Sequence, residues 1–323
     1  MSRRSLSLLA AAGLLAAAPL VLGACGGDEE GAGEGLSGRI VADGSSTVAP
    51  LTSAAAEAFA AENPGVNIEV RTSGTGGGFE VFCKGETDIS DASREIKDEE
   101  RAACEKAGVK YEEFRVASDG ITVVTKKGAD IGTSCLTLEQ LRRVWEPTSK
   151  IDNWKQIDPS FSDAPLTLAG AGSQSGTYDF FNEEVLGEDA QGETITPRQD
   201  YAASEDDNVT VRAVTGAKAG MGYFGYSYFA ENEDKLTALE LDSGQGCVAP
   251  SPETITSGQY PLSRPLFIYV STRSLERPEV KAFLRYYVQN AVSLAEEQRF
   301  VPAPQEALDQ ALDDRGLLLS VQG

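Results

Sequence analysis

Asp43-Gly44-Ser45-Ser46-Thr47-Val48-Ala49-Pro50 (DGSSTVAP) is a turn of small hydroxyl residues set between two different periodicities. Arg39-Ile40-Val41-Ala42 before it is a short apolar strand signal, and Val48, Leu51, Ala55 and Phe59 after it share one face of a helix. Strand, turn, helix is the geometry that leaves backbone N–H groups and Ser/Thr hydroxyls free to surround an anion. Two further turns have the same character, Thr72-Ser73-Gly74-Thr75-Gly76-Gly77-Gly78 and Gly172-Ser173-Gln174-Ser175-Gly176-Thr177. The chain is expected to fold so that these turns meet around one small oxyanion.

Composition narrows what such a site can be. The 323 residues, 41% of them hydrophobic, suffice for one large or two medium domains, and 33 glycines imply many tight turns. A net charge of −22 argues against nucleic acid or an anionic membrane surface as partner. It also argues against long-range attraction of an anion, so local dipoles and a few placed cations must outweigh the global field. The chain has no histidine. Ser-His-Asp and Cys-His catalysis and His-ligated metals are therefore excluded, and no metal or cofactor is expected.

The N-terminus reads as an export signal. Met1-Ser2-Arg3-Arg4 is basic, Ser5 to Val21 is rich in Ala and Leu, and Leu22-Gly23-Ala24-Cys25 closes the run. These four residues resemble the lipobox of bacterial lipoproteins. The resemblance implies cleavage of residues 1–24 and acylation of Cys25, an anchor to the outer face of the cytoplasmic membrane. Two or more acyl chains hold stably where one would not. Residues 25–38, rich in Gly and acid, read as a flexible tether.

Beyond the tether, strand and helix patterns alternate. A helix from Thr47 to Ala61 stops at Asn63-Pro64-Gly65, and Val66, Ile68 and Val70 alternate as a strand. A short helix is expected over Phe79–Lys84, a strand over Thr87–Ser90 and a charged helix over Lys97–Ala107. Phe114–Ala117 and Ile121–Val124 read as strands broken at Asp119-Gly120, where the chain is expected to cross into a second lobe. There follow a helix Leu136–Trp145, a strand Leu166–Ala169, a helix after the third turn and a helix N-capped near Asp206. Met221–Tyr226 and Leu236–Leu241 read as strands. The strand ending at Val270 marks the return to the first lobe, before a long helix Glu279–Phe300 and a last helix Pro304–Asp313. Alternation of this kind predicts an α/β fold of mixed sheets covered by helices.

With Cys25 assigned to lipid, Cys83, Cys104, Cys135 and Cys247 remain, an even number in an exported chain. Three pairings are open. Cys83–Cys104 and Cys135–Cys247 are expected, because each bond then stays inside one lobe and leaves opening free.

Each turn has a plainer reading. The hydroxyls of Ser45, Ser46, Thr47 and Ser175 could only cap helices. The glycines of the second turn suit a phosphate nest but lack the Gly-Lys-Ser/Thr of a P-loop. Gln174 stands where a nucleophile elbow needs serine. Arg94 follows Ser93 at a strand end, where open α/β sheets bind ligands. The order of the motifs is more specific. DGSSTVAPL (Asp43–Leu51), SGTGGGFEVFCKGETDISDASREI (Ser73–Ile96), GAGSQSGTYDFF (Gly170–Phe181), GYFGYSYF (Gly222–Phe229) and YPLSRPLFIYV (Tyr260–Val270) together resemble the PstS-type phosphate-binding proteins, receptors of ATP-driven phosphate importers.

The resemblance implies a two-lobed periplasmic-binding-protein-like fold of type II. Residues 39–117 and 266–323 would form the first lobe and 118–265 the second, with a crossing-strand hinge and one phosphate in the cleft. It implies ligands at Ser46, Thr47, Thr75, Ser93, Arg94, Ser175, Gly176 and Thr177, with Ser45, Ser73 and Asp91 as further candidates. The partners implied are inorganic phosphate and the permease subunits of an ABC importer, served by a monomer. Two positions depart from the family pattern: Ser93 stands where many members have Asp, and Ala171 where many have Arg. Arg94 is expected to replace that guanidinium as the sole cation. Without the carboxylate, discrimination against sulfate is expected to weaken unless Asp91 or another acid turns inward. A phosphate sensor or scavenger, or a receptor for another tetrahedral oxyanion, would use the same residues. A phosphatase with Ser46 or Ser175 as nucleophile would lack a base, since the chain has no His and the three hydroxyl-rich turns hold no Lys. An adhesion module would need no anion-type turns.

Overall fold

Strands β1 (Ser37–Gly44), β2 (Gly65–Arg71) and β3 (Ile89–Ala92) alternate with helices α1 (Ala49–Glu62), α2 (Gly74–Phe82) and α3 (Asp98–Ala107). β1 lies between the other two and pairs with both in parallel, as short helical crossovers dictate. The structure, a computed structural model, describes residues 35–317. The expected leader, the acylation site Cys25 and most of the tether lie outside the described residues.

β4 (Tyr111–Lys126) then runs through the middle of the protein. A second α/β segment follows it: β5 (Cys135–Thr137), α4 (Leu138–Trp145), α5 (Trp154–Ile157), β6 (Leu166–Ala171), α6 (Gly176–Phe181), β7 (Ala202–Ser204), α7 (Asp207–Gly216) and β8 (Ala219–Gly225). β9 (Leu236–Ala238), β10 (Glu240–Asp242), β11 (Ser263–Ser271) and β12 (Val301–Pro302) complete the strands. The main sheet has the order β2-β1-β3-β11-β4-β8-β6-β7, with β9 and β12 also on β4. Its mixed character follows from β11, which returns antiparallel to both β3 and β4.

The fold is a two-lobed α/β architecture. Ile40, Phe59, Phe114, Ile268, Phe283 and Tyr287 belong to one buried cluster, and Ile121, Trp145, Trp154, Phe181, Tyr223 and Leu262 to another. β4 feeds both. Its first part, to Gly120, pairs with β11, and Ile121–Thr125 pairs with β8.

Several expected elements are corrected. β4 is one strand rather than two: Asp119 and Gly120 keep ladder partners in Arg264 and Ser263. Gly120 leaves room for the Ile255 side chain, whose Cδ1 would lie 2.6 Å from a Cβ at this position. α2 begins at Gly74, five residues before the expected start, so most of the Gly-rich turn is itself helical. The long C-terminal helix is two, Pro278–Gln289 and Ala291–Glu297, parted at Asn290, whose amide bonds the Tyr286 carbonyl at 2.8 Å. Its expected apolar stripe is nonetheless buried from Val280 to Leu294. The Leu236–Leu241 strand divides into β9 on β4 and β10 on β5. Both expected disulfides are present, Cys83–Cys104 and Cys135–Cys247. Among the described residues no helix is long and apolar enough to cross a membrane.

The glycines of α2 separate two physical roles. A Cβ on Gly78 would stand 2.5 Å from Gly44 Cα and 2.9 Å from the Asp43 carbonyl, whereas one on Gly76 would meet nothing closer than Arg94 at 3.8 Å. Gly78→Ala should therefore cost about 1–3 kcal/mol of stability by overpacking backbone against backbone. Gly76→Ala should be neutral or stabilising by up to about 1 kcal/mol through helix propensity. Urea unfolding midpoints of the two variants would check this; equal losses would contradict it.

Candidate oxyanion-binding cleft

The loops at the ends of β1, β2 and β3 converge on one cavity of about 600 Å³. Its wall takes Ser45, Ser46 and Thr47 from the first, Gly74, Thr75 and Gly76 from the second, and Ser93 and Arg94 from the third. The first turn is held from below, where Ser45 N–H donates to the Asp91 carbonyl at 2.8 Å and Thr47 N–H to Ser45 Oγ at 3.2 Å. Neither Ser46 nor Thr47 caps α1, whose N-cap position is Val48 without a side-chain bond. The second and third loops are joined: Thr75 and Ser93 hydroxyls lie 3.1 Å apart, and Ser93 N–H donates to Thr75 Oγ1 at 3.2 Å.

The fourth turn meets the first but does not line the cavity. Ser175 Oγ accepts from Thr177 N–H at 3.2 Å, the capping geometry of α6. Gly176 approaches Thr47 so closely that a Cβ would stand 2.8 Å from Thr47 Oγ1. Ser73 also lies off the wall, its N–H donating to Asp43 Oδ1 at 3.0 Å.

The cavity holds two guanidiniums, not one. Arg94 donates from Nη1 and Nη2 to the two carboxylate oxygens of Glu100, each at 2.8 Å. Arg264, unforeseen in the sequence reading, is only 9% exposed. Its Nε donates to Asp119 Oδ2 at 3.2 Å, and its Nη2 to Thr47 Oγ1 at 2.8 Å and to the Gly176 carbonyl at 3.3 Å. Its Cζ lies 3.9 Å from the centre of the Phe180 ring, a cation–π contact. The only signal for it along the chain is that Arg264 opens the apolar run Leu266–Val270 and Asp119 precedes the apolar run Ile121–Val124; a charge at such a place needs a partner once buried.

The wall also carries Asp179, Glu183 and Glu184 from the segment after the fourth turn. Burial pushes all three carboxyls above their usual range, and Arg264 opposes the shift. As for metals, Cys135, Glu240 and Cys247 lie close enough to share an ion, but the two cysteines are bonded to each other and offer no thiolate.

Strand-end loops converging on a polar cleft with two placed cations offer the donors and charge that an anion needs. A sequence profile of the PBP superfamily domain matches residues 30–291. Protein SphX of Synechococcus elongatus is 43% identical over 276 residues, 84% of this chain and 80% of that protein. The phosphate-binding protein PstS of Staphylococcus epidermidis is 39% identical over 303 residues, 92% of this chain and 89% of that protein. The crystal structure of a possible phosphate binding protein from Planctomyces limnophilus superposes with a TM-score of 0.80 at 42% identity, covering 86% of this chain and 99% of that one. The chain belongs to the PBP superfamily and, within it, to the PstS-type phosphate-binding proteins.

Asp91 lies beneath the cleft rather than in its wall. It is fully buried, with Oδ1 accepting from Thr52 Oγ1 at 2.9 Å and Oδ2 without a partner; Thr52 in turn touches Tyr287 Oη at 3.1 Å. Burial pushes its carboxyl up to about 7, with the Thr52 bond opposing and Asp43 adding to the rise. Between the unfolded value near 4 and this folded value, the unfolded chain loses the proton while the native chain keeps it. Stability should therefore fall as pH rises through that window, by about 1.4 kcal/mol per unit from this group. Asp91→Asn preserves the Thr52 bond and removes the ionisation. Urea unfolding at pH 5 and pH 7 should show a loss in the parent that shrinks by about 2 kcal/mol in the variant; an unchanged slope would contradict this origin.

Proposed function

We propose that this protein is an extracytoplasmic receptor that binds inorganic phosphate and delivers it to the permease of an ATP-driven importer. The observation that carries the proposal is the convergence of Ser46, Thr47, Thr75 and Ser93 with Arg94 and Arg264 on one cavity. Hydroxyls and loop N–H groups donate to the phosphate oxygens, and the guanidiniums add charge-assisted bonds. The names of the relatives from Staphylococcus epidermidis and Planctomyces limnophilus support phosphate as the ligand. A cavity of about 600 Å³ is far larger than one phosphate. Closure of residues 118–265 against residues 39–117 and 266–323 brings Ser175, Gly176 and Thr177 onto the ligand, with the hinge where β4 and β11 cross. Contacts made by one anion to both lobes drive that closure.

The reading extends to the N-terminus: residues 1–24 act as a signal peptide, and Cys25 carries the lipid that holds a monomer outside the cytoplasmic membrane. In this reading the protein binds and releases its ligand without catalysis.

Calorimetry on the domain starting at Ser37 tests the ligand set. The parent should bind phosphate, and Arg94→Ala should weaken binding at least tenfold, about 1.4 kcal/mol. Arg264→Ala would leave Asp119 buried and unpaired, so the paired variant Arg264→Gln/Asp119→Asn is the cleaner probe. It should fold and lose more than thirtyfold, about 2 kcal/mol. Parental affinity in Arg94→Ala would reduce that arginine to a structural tie for Glu100.

A further inference from the structure

Helix α3 is anchored to the protein interior at one point. Within Asp98–Ala107, Cys104 alone is fully buried. Its disulfide partner is Cys83, the C-cap residue of α2. α2 is well seated by itself, with Gly78, Phe79 and Phe82 buried. α3 instead exposes Asp98, Glu99, Arg101, Glu105 and Lys106. Cys83 and Cys104 share one small apolar cluster with Phe79 and Phe82, so the disulfide is the part of α3 that enters a core. Arg101 adds two weaker ties at the rim, to the Tyr111 hydroxyl at 3.3 Å and to the Ile96 carbonyl at 3.4 Å.

From this anchor a short chain of contacts reaches the cleft. Glu100 lies one helical turn before Cys104, on the same face. Cys83 Sγ, which as half of a disulfide has no proton to give, stands 3.4 Å from the Glu100 carbonyl oxygen. The Glu100 carboxylate accepts from both Arg94 Nη atoms at 2.8 Å and from Lys97 N–H at 2.9 Å. Arg94 donates once more, to the Glu95 carbonyl at 3.1 Å. Three of its five N–H groups are thus engaged, and the others carry no bond among the described residues. Arg94 lines the anion cavity with 34% of its side chain exposed. A long, partly exposed side chain of this kind loses rotamer freedom when it orders around a ligand, and that loss weakens binding. Pairing with Glu100 orders it beforehand, provided that Glu100 itself stays in place. Ion pairs at an exposed rim contribute little to holding a helix; the buried disulfide is what fixes this one.

We propose that the Cys83–Cys104 disulfide is a positioning element for phosphate binding: by fixing α3 it fixes Glu100, and through Glu100 the guanidinium of Arg94. Neither sulfur touches the ligand. The proposal rests on the phosphate-receptor reading and adds to it the covalent support of one of the two cations. Cys135–Cys247 serves as the internal control, because neither its cysteines nor the strands β5 and β10 beside them contribute to the cavity wall. Coupling of this kind is reciprocal. If a docked α3 raises the affinity for phosphate, bound phosphate holds α3 docked by the same factor.

Phosphate calorimetry tests this on the parent, Cys83→Ala/Cys104→Ala and Cys135→Ala/Cys247→Ala, each with and without Arg94→Ala. Loss of the first disulfide should weaken phosphate about five- to tenfold, and loss of the second less than about twofold. In the Arg94→Ala background, loss of the first should also change affinity less than about twofold, because the group it positions is gone. A second measurement starts from folded, disulfide-bonded protein. Each disulfide is reduced by dithiothreitol, which is oxidised to its cyclic disulfide as the two cysteines become thiols, and the thiols are alkylated and mapped by mass spectrometry. Saturating phosphate should slow reduction of Cys83–Cys104 about five- to tenfold in the parent but not in Arg94→Ala, and should leave Cys135–Cys247 unchanged. The proposal is overturned if the variant without Cys83–Cys104 folds and keeps parental affinity, or if its loss persists in Arg94→Ala. It is equally overturned if phosphate fails to slow reduction of Cys83–Cys104, or slows it as much in Arg94→Ala. Absence of phosphate binding by the folded parent would instead overturn the receptor reading itself.

Discussion

The pairing of Arg264 with Asp119 is the constraint on which the cleft depends. The two residues are register partners on the antiparallel strands β11 and β4, at the point where β4 leaves one core for the other. Both are almost fully buried. Taking two charges out of water is expensive, and only good geometry with further hydrogen bonds repays it. Arg264 obtains those bonds from Thr47 and from the Gly176 carbonyl, one on each side of the cleft. Burial pushes the Asp119 carboxyl up, and the guanidinium opposes it. One side chain thus joins the crossing strands, the first turn and the fourth. Removing either partner would leave an uncompensated buried charge, a loss of about 3–5 kcal/mol.

Around that pair, local charge is arranged against the global field. The chain as a whole is strongly acidic, and the cavity wall itself bears four carboxylates, Glu95, Asp179, Glu183 and Glu184. An anion can still bind because Coulomb interactions strengthen sharply where water is excluded and weaken beyond about 8–10 Å in salt. The two arginines and the loop N–H groups act within that range; most of the surface acids do not. Arg94 is held in place by Glu100, so its planar head is oriented before any ligand arrives.

Much of this was legible along the chain, for identifiable reasons. The β1 turn was readable because the strand period of Arg39–Ala42 changes to a helix period at Val48 across four small residues. The disulfides were readable because each bond was expected to stay on one side of the crossing at Asp119-Gly120, and Cys83–Cys104 does lie before β4 and Cys135–Cys247 after it. The stripe from Val280 to Leu294 predicted the face that is buried, but not the break at Asn290, where a side-chain amide competes for the Tyr286 carbonyl. Gly120 read as a break in a strand, and only its neighbour Ile255, far along the sequence, explains why a glycine stands inside a continuous one. The second cation went unread because nothing local relates Arg264 to Thr47, 217 residues away.

The sequence by itself determined the alternation of strands and helices, the hydroxyl-rich turns and, through the order of its motifs, the family. These are properties of periodicity and of short segments, which a chain carries without folding. The tertiary structure alone decided which charges share the cleft. It placed Arg264 beside Thr47, tied Arg94 to Glu100, turned Asp91 into the core and brought Glu183 to the wall. The reason is that the energy of a charge depends on its burial and on its neighbours across space, and both come into being only when the two halves of the sheet are joined through β4 and β11.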